Sequence, residues 1–322
     1  MRGSHSRKGK EVVMMPDYDV LAIGELNVDI ICTGVADMPV LGRETIVEGC
    51  RMALGGSTAI TASGLAGLGL RTGFIGKVGA DKFGAYVQEE LERNGVRKAG
   101  IMEERNLDTG VTISLSAGAD RALVTYLGSI GSLALHEIDS RLLEKTRHIH
   151  IGSYFLQNSL RRDIAPLFKQ VKSRGVTTSL DTGWDVASEW DYGLGEVLEY
   201  TDVFLPNEAE ALHITGKKNI YDALEVLSRS CGIAVIKRGA LGAVGRSGSL
   251  VVEKKAFAVK PLDTTGAGDS FNAGFIYGFI NGFDLGRCIV YGNACGAFCV
   301  TKAGGASACP TLTEIEGLIS SV

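Results

Sequence analysis

A run of small residues in the C-terminal third of the chain ends at a carboxylate that is well placed for proton transfer. Residues 263–269 read DTTGAGD, and the apolar stretch that follows predicts a helix. At the N-terminus of such a helix, the amides of Gly266, Ala267 and Gly268 would form an anion hole, a binding site for anionic oxygens. Asp269 could then accept the proton of an alcohol that attacks a phosphoryl group held there. Alternatively, Asp269 only caps the helix and the small residues permit close packing.

The elements that must position this motif alternate between strands and helices. Such alternation is typical of a mostly parallel sheet with helices on both faces. The pattern predicts strands at 18–23, 72–76, 148–151, 176–180, 203–205, 234–236 and 256–260, and helices at 52–70, 82–94, 208–212 and 220–230. Ligands of such sheets bind at the carboxyl ends of the strands, so we expect the site there.

Two stretches break the alternation, because 30–49 and 109–127 read as strand pairs with a period of two residues. They predict a small second sheet, contributed by inserted segments at about 29–54 and 107–131. Residues 15–322 would then form one domain. The basic, polar residues 1–14 are interpreted as a tag remnant or a disordered arm.

Composition narrows the class of partner. Lys and Arg number 33 against 37 Asp and Glu, which gives a net charge of −4 without a basic run beyond the N-terminus. This argues against a nucleic-acid partner and favours a small molecule. The 7 cysteines include no C-x-x-C pair, which indicates a reduced, cytoplasmic protein. The uncharged run 52–70 carries too many small polar residues for a membrane span, so no membrane partner is expected.

The segment DTTGAGDSFNAG at 263–274 resembles the C-terminal motif of the ribokinase-like, or PfkB, family of carbohydrate kinases. Four further motifs agree in order: GELNVD at 24–29, the glycine pair at 55–56, PNEAE at 206–210 and KRGALG at 237–242. The resemblance extends from about residue 18 to residue 316. It implies a three-layer α/β/α ribokinase-like fold with a mostly parallel central sheet and a small β-sheet lid.

The resemblance also implies a reaction, the transfer of the γ-phosphoryl group of MgATP to a hydroxymethyl group of a small sugar. The sugar would belong to the fructose, ribose or keto-deoxy class. Asp269 would be the base, and the anion hole would stabilise charge on the transferring phosphoryl group. A nucleoside kinase of the same family remains the alternative. A homodimer through the lid is a further expectation, because open sheet edges can pair with a second copy.

By the same resemblance, each ligand has its own residues. Glu210 would hold Mg²⁺ through water, while the nucleotide would contact Asn207, Lys237, Gly239, Gly242 and Asn293. The sugar would contact Asn27 and Asp29, expected at the carboxyl end of the first strand, and also Gly55, Gly56 and Ser57. Asp263, Thr265, Gly304 and Ser307 form a weaker candidate set for K⁺. A capped helix turn, an ordinary glycine turn and a locally satisfied amide are the structural alternatives.

Two departures from the family pattern argue against strict ribose specificity. Ile60 stands where ribokinases carry a sugar-binding asparagine, and Gly152-Ser153-Tyr154 stands where they often carry a glutamate. Other enzyme classes lack their own motifs. The first strand is not followed by G-x-G-x-x-G, and no Walker sequence or H-E-x-x-H is present.

Overall fold

Two sheets organise the part of the chain that the computed structural model describes, which comprises residues 16–117, 120–302 and 309–321. The expected N-terminal arm at 1–14 lies outside these residues. The strands, in chain order, are β1 (Tyr18–Ile23), β2 (Asn27–Thr33), β3 (Gly49–Gly55), β4 (Thr72–Gly79), β5 (Arg97–Glu104), β6 (Val111–Ala117), β7 (Asp120–Tyr126), β8 (Thr146–Ile151), β9 (Thr177–Leu180), β10 (Val203–Phe204), β11 (Ile233–Lys237), β12 (Ala243–Ser247) and β13 (Leu250–Lys254).

The main sheet has the order β13-β12-β11-β10-β9-β8-β1-β4-β5. It is parallel except at one edge, where β12 pairs antiparallel with both β11 and β13. Val20, Leu21, Ala22 and Ile23 of the central strand β1 are fully buried. A strand buried on both faces is the pattern expected of a parallel sheet between two helical layers.

Ten helices accompany the described strands: α1 (Ser57–Gly67), α2 (Lys82–Arg93), α3 (Ser140–Leu143), α4 (Ile164–Lys172), α5 (Leu194–Glu199), α6 (Glu208–Thr215), α7 (Ile220–Leu227), α8 (Ala267–Ile280), α9 (Leu285–Val300) and α10 (Leu312–Ser320). Alternate residues of β1 pack against opposite layers. Leu21 belongs to the core with α4, α5 and α7, whereas Val20 belongs to the core with α8 and α9. The predicted three-layer α/β/α fold is therefore confirmed.

The second sheet consists of β2, β3, β6 and β7 in the order β3-β2-β6-β7. Strands β2 and β6 pair in parallel, and the other two pairings are antiparallel. The period-two pattern therefore predicted the existence of this sheet correctly. No helix within the described ranges combines the length and the apolar character that crossing a membrane requires.

Three predicted element bounds were wrong. The partner of β2 is Gly49–Gly55 rather than a strand ending at residue 49, so the helix predicted from Met52 begins only at Ser57. An uncharged run does not distinguish a buried strand from a buried helix, and here Gly56, with φ 95°, separates the two. Residues 256–260, predicted as a strand, have no regular secondary structure, and the preceding strand β13 ends at Lys254.

Candidate active site

The N-termini of two helices meet at Asp269. This residue lies in the first turn of α8, which follows Gly266 in the left-handed conformation at φ 76°. Ser57, the first residue of α1, donates a hydrogen bond from its Oγ to Asp269 Oδ1 at 2.5 Å. Burial raises the pKa of Asp269 to about 6, with a further upward contribution from the carboxylate of Asp181, while Ser57 and Lys237 oppose the shift. A carboxylate with such a pKa can exchange a proton near neutral pH.

The space beside the start of α8 is open and faces a cation. A Cβ on Gly268 would lie 3.5 Å from Lys237 Nζ, and beyond its chain neighbours and its own helix backbone the only other described atom within 4 Å would be Lys237 Cε. The first amides of a helix have no partner within the helix and carry its positive dipole end. The structure thus places the predicted anion hole, Gly266 to Gly268, opposite an ammonium group. This combination fits an anionic phosphate.

A buried network holds Lys237 in this position at the end of β11. Its Nζ donates to Asp181 Oδ2 at 2.5 Å and to Asn272 Oδ1 at 3.1 Å, while Asn272 Nδ2 donates to Asp181 Oδ2 at 2.6 Å. Burial alone would raise the pKa of Asp181, but Lys237 and Asn272 hold it below its ordinary value. The pKa of Lys237 shifts in the opposite direction. Burial lowers it, but the neighbouring Asp181 raises it above its ordinary value, so Lys237 is charged.

Asn207 and Glu210 form a reciprocal cap at the start of α6. The amide of Glu210 donates to Asn207 Oδ1 at 2.9 Å, and the amide of Asn207 donates to Glu210 Oε2 at 2.8 Å. This is the capping box anticipated as the structural alternative. Glu210 is nevertheless unusual for a cap, because burial and the nearby Asp181 raise its pKa to about 7. A buried carboxyl group that lies close to other carboxylates also favours the binding of a cation, because the cation relieves the repulsion between them.

The residues predicted for the nucleotide lie around the ends of β11 and β13. Gly239 and Gly242 bracket a single turn with φ values of 55° and 94°, and a Cβ on Gly242 would lie only 2.1 Å from the carbonyl oxygen of Lys254. Asn293, in α9, donates from Nδ2 to the carbonyl oxygens of Lys254 and Lys255, both at 3.1 Å. Its amide therefore fixes the chain where β13 ends. Nothing lies within 4 Å of a Cβ placed on Gly239, so the turn leaves room for a ligand.

The residues predicted for the sugar are on the second sheet. Asn27 and Asp29 were expected at the end of the first strand, but both lie in β2, because a sharp connection at 24–26 starts a new strand. Asn27 Nδ2 donates to Asp29 Oδ1 at 2.9 Å. A Cβ on Gly55 would lie 2.0 Å from that oxygen, so the absence of a side chain at Gly55 lets the two polar groups approach β3. With Gly56 leading into α1, this polar face is continuous with Ser57 and Asp269.

The candidate K⁺ set is only partly described, because Gly304 and Ser307 lie outside the described residues. The two described members already share a hydrogen bond, which Thr265 N donates to Asp263 Oδ1 at 2.9 Å. The other carboxylate oxygen of Asp263 accepts from Arg51 Nη2 at 2.8 Å. A guanidinium group at this carboxylate disfavours a second cation there.

Sequence reasoning missed a buried carboxylate cluster next to these residues. Glu25 is 4% exposed and accepts hydrogen bonds from Thr58 Oγ1 at 2.8 Å, Ser153 Oγ at 2.7 Å and Gln157 Nε2 at 2.9 Å. Burial raises its pKa despite these donors. Glu25 comes two residues after β1, and Asp181 comes directly after β9. This was the available signal, because parallel-sheet sites collect polar residues at strand ends.

The fold, with a buried carboxylate, a helix N-terminus and a buried ammonium group at the carboxyl edge of its parallel sheet, is that of a phosphotransferase with an alcohol acceptor. The sequence pattern of the pfkB family carbohydrate kinases matches residues 17–312. The chain belongs to this family, and it is a sugar kinase.

The names of related proteins give different sugars as substrates. The ATP-dependent ribose-1-phosphate kinase of Halopiger xanaduensis is 32% identical over 306 residues, which cover 94% of this chain and 98% of the relative. The 5-dehydro-2-deoxygluconokinase of Bacillus licheniformis is 27% identical and covers 94% and 96%. Among solved structures, a "putative Ribokinase II" of E. coli in complex with ATP and Mg²⁺ superposes with a TM-score of 0.83 at 28% identity, covering 95% and 100%.

Proposed function

We propose that the protein transfers the γ-phosphoryl group of MgATP to a hydroxymethyl group of a small sugar, with Asp269 as the base. The observation that carries the proposal is the position of Asp269 in the first turn of α8, beside a helix N-terminus where a Cβ on Gly268 would lie 3.5 Å from Lys237 Nζ. A base and an anion hole on the same turn bring the attacking hydroxyl and the phosphoryl group together. Such positioning accounts for most of the catalysis in phosphoryl transfer.

Asp269 acts on the acceptor in its ionised form. Its carboxylate orients the hydroxyl and takes the proton as the bond to phosphorus forms, and ADP leaves with the electron pair of the broken bond. The amides of Gly266, Ala267 and Gly268 donate to the equatorial oxygens, which carry the developing charge. Ser57 is already hydrogen-bonded to Asp269 and keeps its carboxylate directed towards the start of α1.

The residues around the turn suit a magnesium nucleotide. Mg²⁺ keeps most of its water ligands beside phosphates, and Glu210, in the first turn of α6, would hold those waters. Lys237 balances phosphate charge, and the open turn at Gly239 and Gly242 can receive the rest of the nucleotide, next to Asn293. In this family MgATP supplies the phosphoryl group, and the residues of this chain position it.

The acceptor binds between the two sheets. Asn27 and Asp29 offer an amide and a carboxylate to sugar hydroxyls. The names of the relatives support a sugar of the fructose, ribose or keto-deoxy class. A nucleoside kinase is the alternative, and a screen of acceptors distinguishes a sugar kinase from a nucleoside kinase.

The second sheet would act as a lid over the sugar, inserted at about 29–54 and 107–131, and exclude water during transfer. Its outer face exposes Met52, Ile113 and Val124 by 43%, 37% and 59%. Covering such a patch is the role we assign to a second copy of the chain. No disulfide forms at Cys32, Cys50, Cys231, Cys288 or Cys295, which supports the proposed location in the reducing cytoplasm.

The test is ADP release with pentoses, hexoses, keto-deoxy sugars and nucleosides as acceptors, followed by Asp269→Asn. We expect that variant to lower kcat by at least roughly 10²-fold, because a positioned base is lost, while nucleotide affinity stays nearly constant. Asp222→Asn is the matched control, an exposed acid in the first turn of α7. Near-normal turnover by Asp269→Asn would refute the assignment, and activity with nucleosides alone would select the alternative.

A further inference from the structure

Arg51 connects the second sheet to the segment that leads into the anion hole. In the β2–β3 pairing, Arg51 lies opposite Ile31, while Ala53 lies opposite Asp29. Side chains two residues apart in a strand share a face, so Arg51 projects from the same face of the sheet as Asp29. Its Nη2 lies 2.8 Å from Asp263 Oδ2. A sheet proposed to bind the sugar is thus joined by an ion pair to the phosphoryl site.

Asp263 in turn shapes the turn before α8. Its Oδ1 accepts the amide of Thr265 at 2.9 Å, immediately before Gly266 takes the left-handed conformation that starts the helix. The Asp263 side chain is 12% exposed and that of Arg51 is 33% exposed, so water competes little for the carboxylate. Removing the guanidinium group would leave the carboxylate without this cation. The turn would then lose a restraint directly before the anion-hole amides.

The guanidinium group of Arg51 lies beside two of the four residues that the family resemblance implied as ligands of a monovalent cation. Asp263 and Thr265 were members of that candidate set, and Arg51 already supplies a positive charge to Asp263. In addition, Arg51 Nε is buried and has no hydrogen-bond partner among the described residues. A fixed organic cation therefore lies beside Asp263.

We propose that Arg51 is the positioning residue of the anion hole: through Asp263 it orders residues 263–268 when the second sheet is in place, and its charge replaces a monovalent cation. Docking of the sugar-binding sheet and ordering of the phosphoryl site are then one event. The inference rests on the proposed function for its kinetic consequences. Its structural consequence, an ordered turn, is measurable without turnover.

The first experiment measures amide hydrogen exchange in a peptide covering 263–270, in the full chain without ligands. We expect Arg51→Met to speed exchange in this peptide by at least roughly tenfold, because local opening of the variant no longer has to break the ion pair with Asp263. Arg97→Met, at an exposed position of β5, is the matched control and should leave the peptide unchanged. Equal exchange in Arg51→Met and the parent protein would overturn the proposal, whatever the enzyme proves to phosphorylate.

The second experiment compares turnover in potassium chloride and in tetramethylammonium chloride at equal ionic strength. We expect the turnover rates of the parent enzyme in the two salts to agree within about twofold, because the guanidinium group of Arg51 is part of the chain and does not depend on the salt. Arg51→Met should lose at least roughly tenfold in kcat with a much smaller change in KM for ATP, the scale seen when a supporting partner of a catalytic group is removed. Arg51→Lys should retain part of the rate, and added guanidinium ion should restore part of it to Arg51→Ala.

These outcomes separate the two proposals. A parent enzyme that phosphorylates sugar only in the presence of K⁺ would overturn the role of Arg51 and leave the proposed function standing. A parent protein without phosphoryl transfer to any acceptor would overturn the proposed function, and hydrogen exchange would still decide whether Arg51 orders the turn. A loss in Arg51→Ala that guanidinium does not relieve, accompanied by a lower melting temperature, would reduce Arg51 to a general structural contact and refute the inference.

Discussion

Replacing Lys237 by Met tests the buried charges at the centre of the site. The side chains of Lys237 and Asp181 are 10% and 5% exposed, and their charged atoms lie 2.5 Å apart. After the replacement, Asp181 would retain the donors from Asn272 and from the amide of Gly183, but no countercharge. Leaving one member of a buried pair uncompensated costs about 3–5 kcal/mol.

That cost converts into a measurable change in melting temperature. Unfolding entropy of about 2.1 cal/mol/K per residue gives roughly 0.7 kcal/mol/K for a chain of this length, so we expect a decrease of roughly 4–7 °C. Scanning calorimetry and urea unfolding, both without ligands, provide the measurement. The double variant Lys237→Met with Asp181→Asn should recover most of the loss, because it removes the carboxylate that directly contacts the lost ammonium group.

The loss should also depend on pH with a definite sign. Without Lys237, burial raises the pKa of Asp181, and the neutral protonated form costs less to bury. The difference in unfolding free energy between variant and parent should therefore be larger at pH 8 than at pH 5. In the parent, the depressed pKa of Asp181 contributes stability above the unfolded pKa, and this contribution is lost as pH falls through the folded pKa.

The control for this experiment is an ion pair on the surface. Lys98 Nζ lies 2.9 Å from Glu92 Oε1, but the side chains are 35% and 55% exposed. Lys98→Met should cost below about 1 kcal/mol, because water screens the pair. A loss of stability in Lys237→Met no larger than that in Lys98→Met, or a double variant less stable than Lys237→Met alone, would contradict a buried, compensated ion pair.

Three further results are expected. The ratio kcat/KM for the sugar should fall on the acid side with an apparent pKa near 6, the value to which burial raises the pKa of Asp269 in the ligand-free protein, and a flat profile down to pH 5 would contradict a base at this position. Glu210→Gln should raise the half-saturating Mg²⁺ concentration by roughly tenfold, and it should change the unfolding free energy by below about 1 kcal/mol, because the amide oxygen preserves the cap. Gly55→Ala should raise KM for the sugar and leave KM for ATP unchanged, because its Cβ would meet Asp29 Oδ1 at 2.0 Å, whereas Gly195→Ala, with nothing within 4 Å, is the silent control.

The sequence by itself determined the class and much of the architecture. Alternating buried strands and helices require a parallel sheet between two layers, since each apolar strand must be covered on both faces. The DTTGAGD segment placed a glycine turn before a helix, and the structure has α8 starting there. Local rules were sufficient for these features because the information lies within a few neighbouring residues. The same rules failed between 49 and 57, where strand and helix have the same uncharged composition.

Only the tertiary structure brought distant side chains together. Lys237 meets Asp181 across 56 residues, Ser57 meets Asp269 across 212, and Arg51 meets Asp263 also across 212. Each contact arises where strands or helices that are distant in the sequence come together in space, and no local pattern encodes that proximity. Burial in this shared cleft also raises the pKa of Asp269, which its position in the motif could not specify. The sequence therefore determined which groups the site has, and packing decided which of them are charged and what they contact.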